Sequence, residues 1–168
     1  MNLNKNIVLL GMMGSGKSTI GYLLSKAINF NFMDVDKFIE KEANLKIYDI
    51  FQKKGEIYFR NLEEKITLQL LKNSKSIISL GGGSFINKNV RKEILKNHIS
   101  FWLSWKNSTI ISRVLKSKKR PIAFNSSKNN LKKLIKERSN IYSQAKYKIN
   151  CETLTKNMIV KNIIKLYE

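Results

Sequence analysis

Gly11-Met12-Met13-Gly14-Ser15-Gly16-Lys17-Ser18 stands between the apolar run Ile7-Val8-Leu9-Leu10 and a helical pattern that starts at Lys17, and no other stretch restricts the fold as tightly. It matches G-x-x-x-x-G-K-[ST] in the setting that motif requires, after a buried strand and opening a helix. The glycines let the backbone wrap so that successive N–H groups and the helix N-terminus face a polyphosphate. Lys17 then reaches the β- and γ-phosphates and the Ser18 hydroxyl is placed to ligate magnesium. Gly14, Ser15, Gly16, Lys17 and Ser18 are therefore candidate nucleotide-binding residues, with Thr19 adding a contact to the α-phosphate. A glycine-rich turn matching by chance is the alternative, and both flanks argue against it.

The rest of the chain alternates short apolar runs with longer helical patterns, which predicts an α/β fold: a parallel sheet with helices on its faces. The expected strands are Asn6 to Leu10, Phe30 to Met33, Ser76 to Leu80, Ile99 to Leu103 and Tyr147 to Cys151. A helical region from Lys37 to Leu71 is interrupted near Asn44 and Gly55, and Leu62, Ile66 and Leu70 recur on one helical face. Further helices are expected at Asn87 to Asn97, from Thr109, at Asn130 to Gln144 and at Lys156 to Tyr167. Lys116 to Asn130 dissolves into Lys, Ser and Asn around the lone proline, Pro121, and reads as a mobile loop. At 168 residues without a repeat or internal boundary, residues 1–168 are expected to form one domain.

Composition narrows the class. No apolar run approaches the roughly 18 residues of a membrane span, and the lone cysteine, Cys151, excludes an internal disulfide. One histidine, His98, leaves little for a His-based metal centre. No export signal is visible, so a cytoplasmic location is expected, with no membrane association and a monomer as the default. The net charge of +20 invites a nucleic-acid reading. Yet the lysines are dispersed without aromatic interleaving, and a general drift toward Lys, Asn and Ile accounts for them without a specific nucleic-acid partner. Only five of the 32 basic residues are arginines: Arg60, Arg91, Arg113, Arg120 and Arg138. In a lysine-rich chain, a retained arginine marks a place for a planar, bidentate, permanently charged group.

Asp34 and Asp36 close the second predicted strand, at the carboxyl edge where parallel sheets bind ligands. One is suited to the magnesium shell and the other to an acceptor hydroxyl, while helix capping by Asp36 is the plain alternative. Gly11 to Ser18, Asp34-Val35-Asp36, Phe59-Arg60-x-x-Glu63, Ser79-Leu80-Gly81-Gly82-Gly83, Arg113, Arg120-Pro121 and Arg138-x-x-x-Tyr142 follow one another in an order and spacing that resemble shikimate kinases over nearly the whole chain.

That resemblance implies a three-layer α/β/α fold of the nucleoside monophosphate kinase type with strand order 2-3-1-4-5, a substrate-binding segment at about 34–62 and a lid at about 115–130. It implies ATP and magnesium as cofactors and shikimate as the small-molecule substrate, phosphorylated on its 3-hydroxyl. It assigns Asp36 to the acceptor hydroxyl, Asp34 to magnesium, Arg60 and Arg138 to the substrate carboxylate, and Gly81, Gly82 and Gly83 to close approach of the ring. Lys17 and Arg120 fall to the transferring phosphate and Arg113 to adenine, with Glu63 orienting Arg60 and Phe51 and Phe59 walling the ring. Each assignment has a plainer alternative: a solvated ion pair for Arg60-Glu63, a loop charge for Arg120, a surface charge beside Glu137 for Arg138, a tight turn for the glycines, core packing for the phenylalanines. A kinase of another polyhydroxy acid such as gluconate, and a basic nucleic-acid-binding protein with residual nucleotide affinity, are the competing readings. Arg91 is read as surface; His98, Cys151, Trp102 and Trp105 are read as structural.

Two departures from the family pattern carry expectations. No proline stands two residues after Arg138, so the helix should run on past it. Asn150-Cys151-Glu152-Thr153 replaces the usual Asp-Thr pair after the last strand.

Overall fold

A strand of four consecutive apolar residues, Ile7–Leu10, can bury them all only when it is covered on both faces, and all four are buried. The computed structural model describes residues 5–116 and 127–168. Its strands are β1 (Ile7–Leu10), β2 (Asn31–Asp34), β3 (Ser76–Ser79), β4 (Ile99–Ser104) and β5 (Tyr147–Asn150). They form one parallel sheet in the order β2-β3-β1-β4-β5, with β1 at its centre between β3 and β4. Fold class and strand order are those expected.

Side chains alternate across that sheet. Ile7, Leu9, Ile77, Phe101 and Leu103 face one core with α1 (Lys17–Ile28), while Val8, Leu10, Ile78 and Trp102 face the other. The second core is covered by α2 (Val35–Ala43), α3 (Ile47–Leu71), α4 (Lys88–Asn97), α5 (Asn107–Lys116) and α6 (Lys128–Tyr142). The closing helix, α7 (Lys156–Tyr167), joins α1 on the first face through Ile159, Val160 and Ile163. Each such fully buried aliphatic side chain contributes about 1.5–3 kcal/mol relative to exposure, so the two-sided core is what holds the sheet edge rigid. None of the described helices is long and apolar enough to cross a membrane.

Local signals set the element ends. Asn44 closes α2 in the left-handed region at φ 48°, and Gly55 leaves helical geometry inside α3 at φ 79°, ψ 171°, which are the two expected interruptions. One reading is corrected: β2 ends at Asp34 and α2 begins at Val35, so Asp36 lies in the first helical turn, not on a strand. The cap is Asp34, whose Oδ1 accepts from the Lys37 backbone N–H at 3.4 Å and satisfies one of the unpaired donors of the first turn. Helix α6 continues through Arg138 to Tyr142, as the missing proline anticipates.

Arg91 is not a free surface charge. Its Nη1 donates to the carbonyls of Phe85 and Ile86 at 3.0 and 2.9 Å, closing the short 3-10 turn Ser84–Ile86 that follows the three glycines. Most of the expected lid, with Arg120 and Pro121, lies outside the described residues.

Candidate active site

The carboxyl ends of β1, β2 and β3 meet the N-terminus of α1, so the phosphate loop, the Asp34 cap and the three glycines share one sheet edge. Gly14 and Gly16 take φ 78° and 88°, a conformation that costs a residue with a Cβ about 1–2 kcal/mol. The Lys17 ammonium is buried and donates to the carbonyls of Gly11 and Met12 at 2.9 and 3.0 Å. A cation held over its own loop in this way stands beside the backbone that would wrap a polyphosphate. Ser18 and Thr19 are exposed at the mouth.

The Ser18 hydroxyl donates to Asp34 Oδ2 at 2.5 Å. A hydroxyl and a carboxylate side by side form a hard, all-oxygen pair, which fits magnesium: that ion keeps waters and substrate phosphates and takes one or two protein ligands. Among the described residues no group of three or more His, Cys, Asp or Glu is placed to hold a metal by itself.

Beyond the loop, Met13, Asp36, Phe51, Phe59, Arg60, Glu63, Gly82, Gly83 and Arg138 line one small cavity of about 30 Å³. The two phenylalanines pack ring on ring with centroids 4.6 Å apart, and Phe59 is also a core residue, so wall and core are one structure here. Arg60 Nη1 donates to Glu63 Oε2 at 2.7 Å, and Glu63 Oε1 accepts from the Ser84 hydroxyl at 2.8 Å. Burial alone would push the Arg60 guanidinium down; Glu63 and Glu56 outweigh it and hold it above its ordinary value.

Side chains crowd the first and third of the three glycines. A Cβ on Gly81 would strike the Glu63 carboxylate and lie 2.9 Å from Asp36 Oδ1; one on Gly83 would strike the Arg60 guanidinium. At Gly82 a Cβ would stand 3.4 Å from Arg138 Nη1, which places the second guanidinium over the same floor. Arg138 is 8% exposed, so it is no surface charge.

Two residues given no role by sequence reasoning complete this end. The Tyr142 hydroxyl donates to the Gly82 carbonyl, bolting α6 to the glycine floor; burial pushes that phenol up to about 12, against the pull of Arg138, so it stays a neutral donor. Glu56 accepts from Arg60 Nε and Nη2, both at 3.2 Å, from one turn earlier on α3. The i, i+4 spacings Arg138–Tyr142 and Glu56–Arg60 were the available signals. A groove of about 500 Å³, lined in part by Arg60, Glu63, Gly83 and Arg138 as well, extends to Glu64, Asn87, Leu134 and Glu137.

At the opposite end of the loop, Arg113 Nη1 donates to the Gly14 carbonyl at 3.1 Å and its guanidinium lies 3.8 Å from the centroid of Trp105. After β5, Glu152 accepts from the Lys106 backbone N–H at 3.1 Å and the Thr109 hydroxyl at 2.7 Å, pinning the start of α5. Cys151 is fully buried, and burial pushes its thiol up to about 12, which agrees with a structural residue. Of the sequence-predicted set, Gly14 to Thr19, Asp34, Asp36, Arg60, Gly81 to Gly83, Arg113 and Arg138 converge on one edge; Arg120 lies outside the described residues.

Comparisons with known proteins point the same way. A family described as shikimate kinase matches residues 13–168. A shikimate kinase of Sulfurihydrogenibium sp. is 39% identical over 160 residues, covering 95% of this chain and 96% of that one. The solved structure of shikimate kinase from Acinetobacter baumannii in complex with shikimate superposes with a TM-score of 0.91 at 28% identity, over 97% of this chain and 92% of the other. A deoxyadenosine kinase from M. mycoides with bound dATP shares the fold, with a TM-score of 0.64 at 21% identity, over 98% of this chain and 100% of that one.

Proposed function

The chain belongs to the shikimate kinase family, and on that premise we propose that it transfers the γ-phosphoryl group of ATP to the 3-hydroxyl of shikimate, giving 3-phosphoshikimate and ADP. The observation that carries this reading is the convergence of Asp36, Arg60 and Arg138 on one glycine-floored cavity beside the phosphate loop. Two guanidiniums suit a carboxylate, a lone carboxylate suits a hydroxyl, and a floor without Cβ atoms lets a ring lie flat.

In the proposed reaction Arg60 and Arg138 grip the substrate carboxylate and so aim the ring. Asp36 accepts the proton of the 3-hydroxyl as its oxygen bonds to the γ-phosphorus. The bond from that phosphorus to the β–γ bridging oxygen breaks, and the electron pair leaves with ADP. Lys17 leaves its loop carbonyls to follow the β- and γ-phosphates, and Arg120 approaches the transferring group from the lid. Ser18 and Asp34 would hold magnesium, which would supply charge neutralisation when bound. Gly14, Ser15, Gly16 and Thr19 contribute the remaining phosphate contacts, and Arg113 faces adenine.

A cavity of about 30 Å³ holds little more than one water. We therefore read residues of about 34–62 as a segment that moves outward to admit the ring, with about 115–130 acting as the lid of a single domain. A monomer in the cytoplasm, with neither a specific nucleic-acid partner nor a membrane, completes the proposal.

A coupled assay of ADP release with magnesium-ATP tests it, comparing shikimate, quinate, gluconate and no acceptor. Release dependent on shikimate, with the 3-phosphate as product, is the expected outcome. Release with gluconate alone, or no acceptor-dependent release from folded protein, overturns it.

A further inference from the structure

Trp105 stands one residue beyond β4 and is 90 positions from the loop it touches: its indole Nε1 donates to the Ser15 carbonyl at 2.9 Å. The face of the same ring carries the Arg113 guanidinium, 3.8 Å from the centroid. Arg113 in turn donates to the Gly14 carbonyl at 3.1 Å, and a Cβ on Gly14 would lie 3.4 Å from its own Cβ, so the loop packs directly on the arginine stem. Indole, guanidinium and two successive loop carbonyls thus form a closed ring of contacts.

We infer that Trp105 is a positioning residue of the nucleotide site, fixing both the orientation of the phosphate loop and the plane of the Arg113 guanidinium, so that a purine docks on a preassembled Trp105–Arg113 stack. This rests on the reading of Arg113 as the adenine-facing residue. A trans peptide is planar, with its N–H opposite its C=O. Holding the Ser15 carbonyl on the indole therefore turns the Gly16 N–H away from Trp105, toward the space where phosphate oxygens would lie. The guanidinium is a flat cation with two faces; the indole covers one by cation–π attraction and leaves the other for a base.

Residue type matters for each half. Phenylalanine would keep the aromatic face and lose the donor; leucine would lose both. The ends of the assembly are fixed independently, since Glu152 ties Lys106 N–H and the Thr109 hydroxyl, on either side of the turn from Trp105 into α5. Trp105 therefore has little freedom to tilt, and its geometry passes to Arg113 and to the loop. A merely structural tryptophan at this place would affect folding and both substrates alike.

The test uses ADP as the probe, by calorimetry and by indole emission, on the wild type, Trp105→Phe and Trp105→Leu, together with Michaelis constants for ATP and shikimate. Loss of a hydrogen bond lowers ADP affinity roughly 3- to 10-fold in Trp105→Phe. Loss of the stack as well lowers it about tenfold further in Trp105→Leu, with the KM for shikimate within about twofold of wild type. ADP changes the emission of the wild type and not of Trp105→Phe, in which Trp102 is the remaining indole. Unchanged ADP affinity in folded Trp105→Leu, or an equal rise in both Michaelis constants, overturns the inference. If the leucine variant does not fold, wild-type ADP affinity in Trp105→Phe without any ADP-dependent emission change in the wild type overturns it. Absence of ADP binding to the wild type would remove the nucleotide-site reading itself, and this inference with it.

Discussion

Glu63→Gln keeps the volume of a side chain whose carboxylate is 4% exposed and removes its charge from between Arg60 and Ser84. Glutamine can turn its carbonyl to Arg60 and its amide to the serine hydroxyl, so both hydrogen bonds survive in neutral form. What is lost is the charge-assisted part of one 2.7 Å bond. Hydrogen bonds to charged groups contribute about 1.5–3 kcal/mol against roughly 0.5–1.5 for neutral ones. Arg60 is 30% exposed and partly screened by solvent, so the expected loss is near the lower end, about 1 kcal/mol.

The kinetic effect should be larger on binding than on chemistry, because in the proposed reaction Arg60 holds the end of the substrate away from the reacting hydroxyl. A rise of about 5- to 10-fold in the KM for shikimate is expected, with kcat lowered by less than about threefold. Glu56→Gln is the matched control: its carboxylate is 64% exposed, and an exposed pair contributes only about 0.2–1 kcal/mol. Urea denaturation gives the stability and the coupled assay gives the constants. If Glu63→Gln loses about 1 kcal/mol while its KM for shikimate stays within about twofold of wild type, Glu63 is structural and does not orient Arg60 for substrate. If Glu56→Gln has the larger effect, the buried acid is not the one that governs the guanidinium.

Other changes probe the remaining parts. Arg138→Lys retains the charge and loses the bidentate fork, so the KM for shikimate should rise at least about tenfold; an unchanged constant removes Arg138 from the clamp. Gly83→Ala places a methyl against the Arg60 guanidinium and should likewise raise that constant about tenfold or more while leaving the KM for ATP near wild type. Cys151, buried with its thiol pushed up to about 12, should resist alkylation at pH 8 in the native protein and react promptly in guanidinium; equal rates in both would refute its burial. Glu152 is held below its ordinary carboxylate range by the Thr109 hydroxyl and the Lys106 N–H. A depressed carboxylate adds stability above its unfolded pKa and loses it as pH falls through the folded one. The melting temperature of Glu152→Gln should therefore lie below wild type at pH 7, and the gap should narrow as pH falls below the ordinary carboxylate range; a gap that does not narrow in acid would contradict this.

What the sequence determined by itself was local. The phosphate loop is legible because the strand, the glycines and the helix that it needs are consecutive, and its bonds run between near neighbours such as Lys17 and the Gly11 carbonyl. The breaks at Asn44 and Gly55, and the i, i+3 pairing of Arg60 with Glu63, follow from helical geometry over a few residues. The scarcity of arginine marked Arg60, Arg113 and Arg138 without any structure, though it did not distinguish Arg91, which closes a turn through two carbonyls.

Tertiary structure decided what periodicity cannot encode: the separation of elements far apart in the chain. That Glu63 meets Ser84, that the Tyr142 hydroxyl reaches the Gly82 carbonyl and that Trp105 reaches Ser15 depend on how α3, α6 and β4 pack on the central strands. Asp36 shows the limit within a single tripeptide: alternation places it on a strand, whereas Asp34 captures the Lys37 N–H and starts the helix two residues sooner. Which of two acids caps depends on whether the strand ends before or after it, and here β2 pairs with β3 only as far as Asp34 opposite Ser79. A hydrogen-bond ladder between distant segments therefore sets the position of the residue proposed to accept the proton.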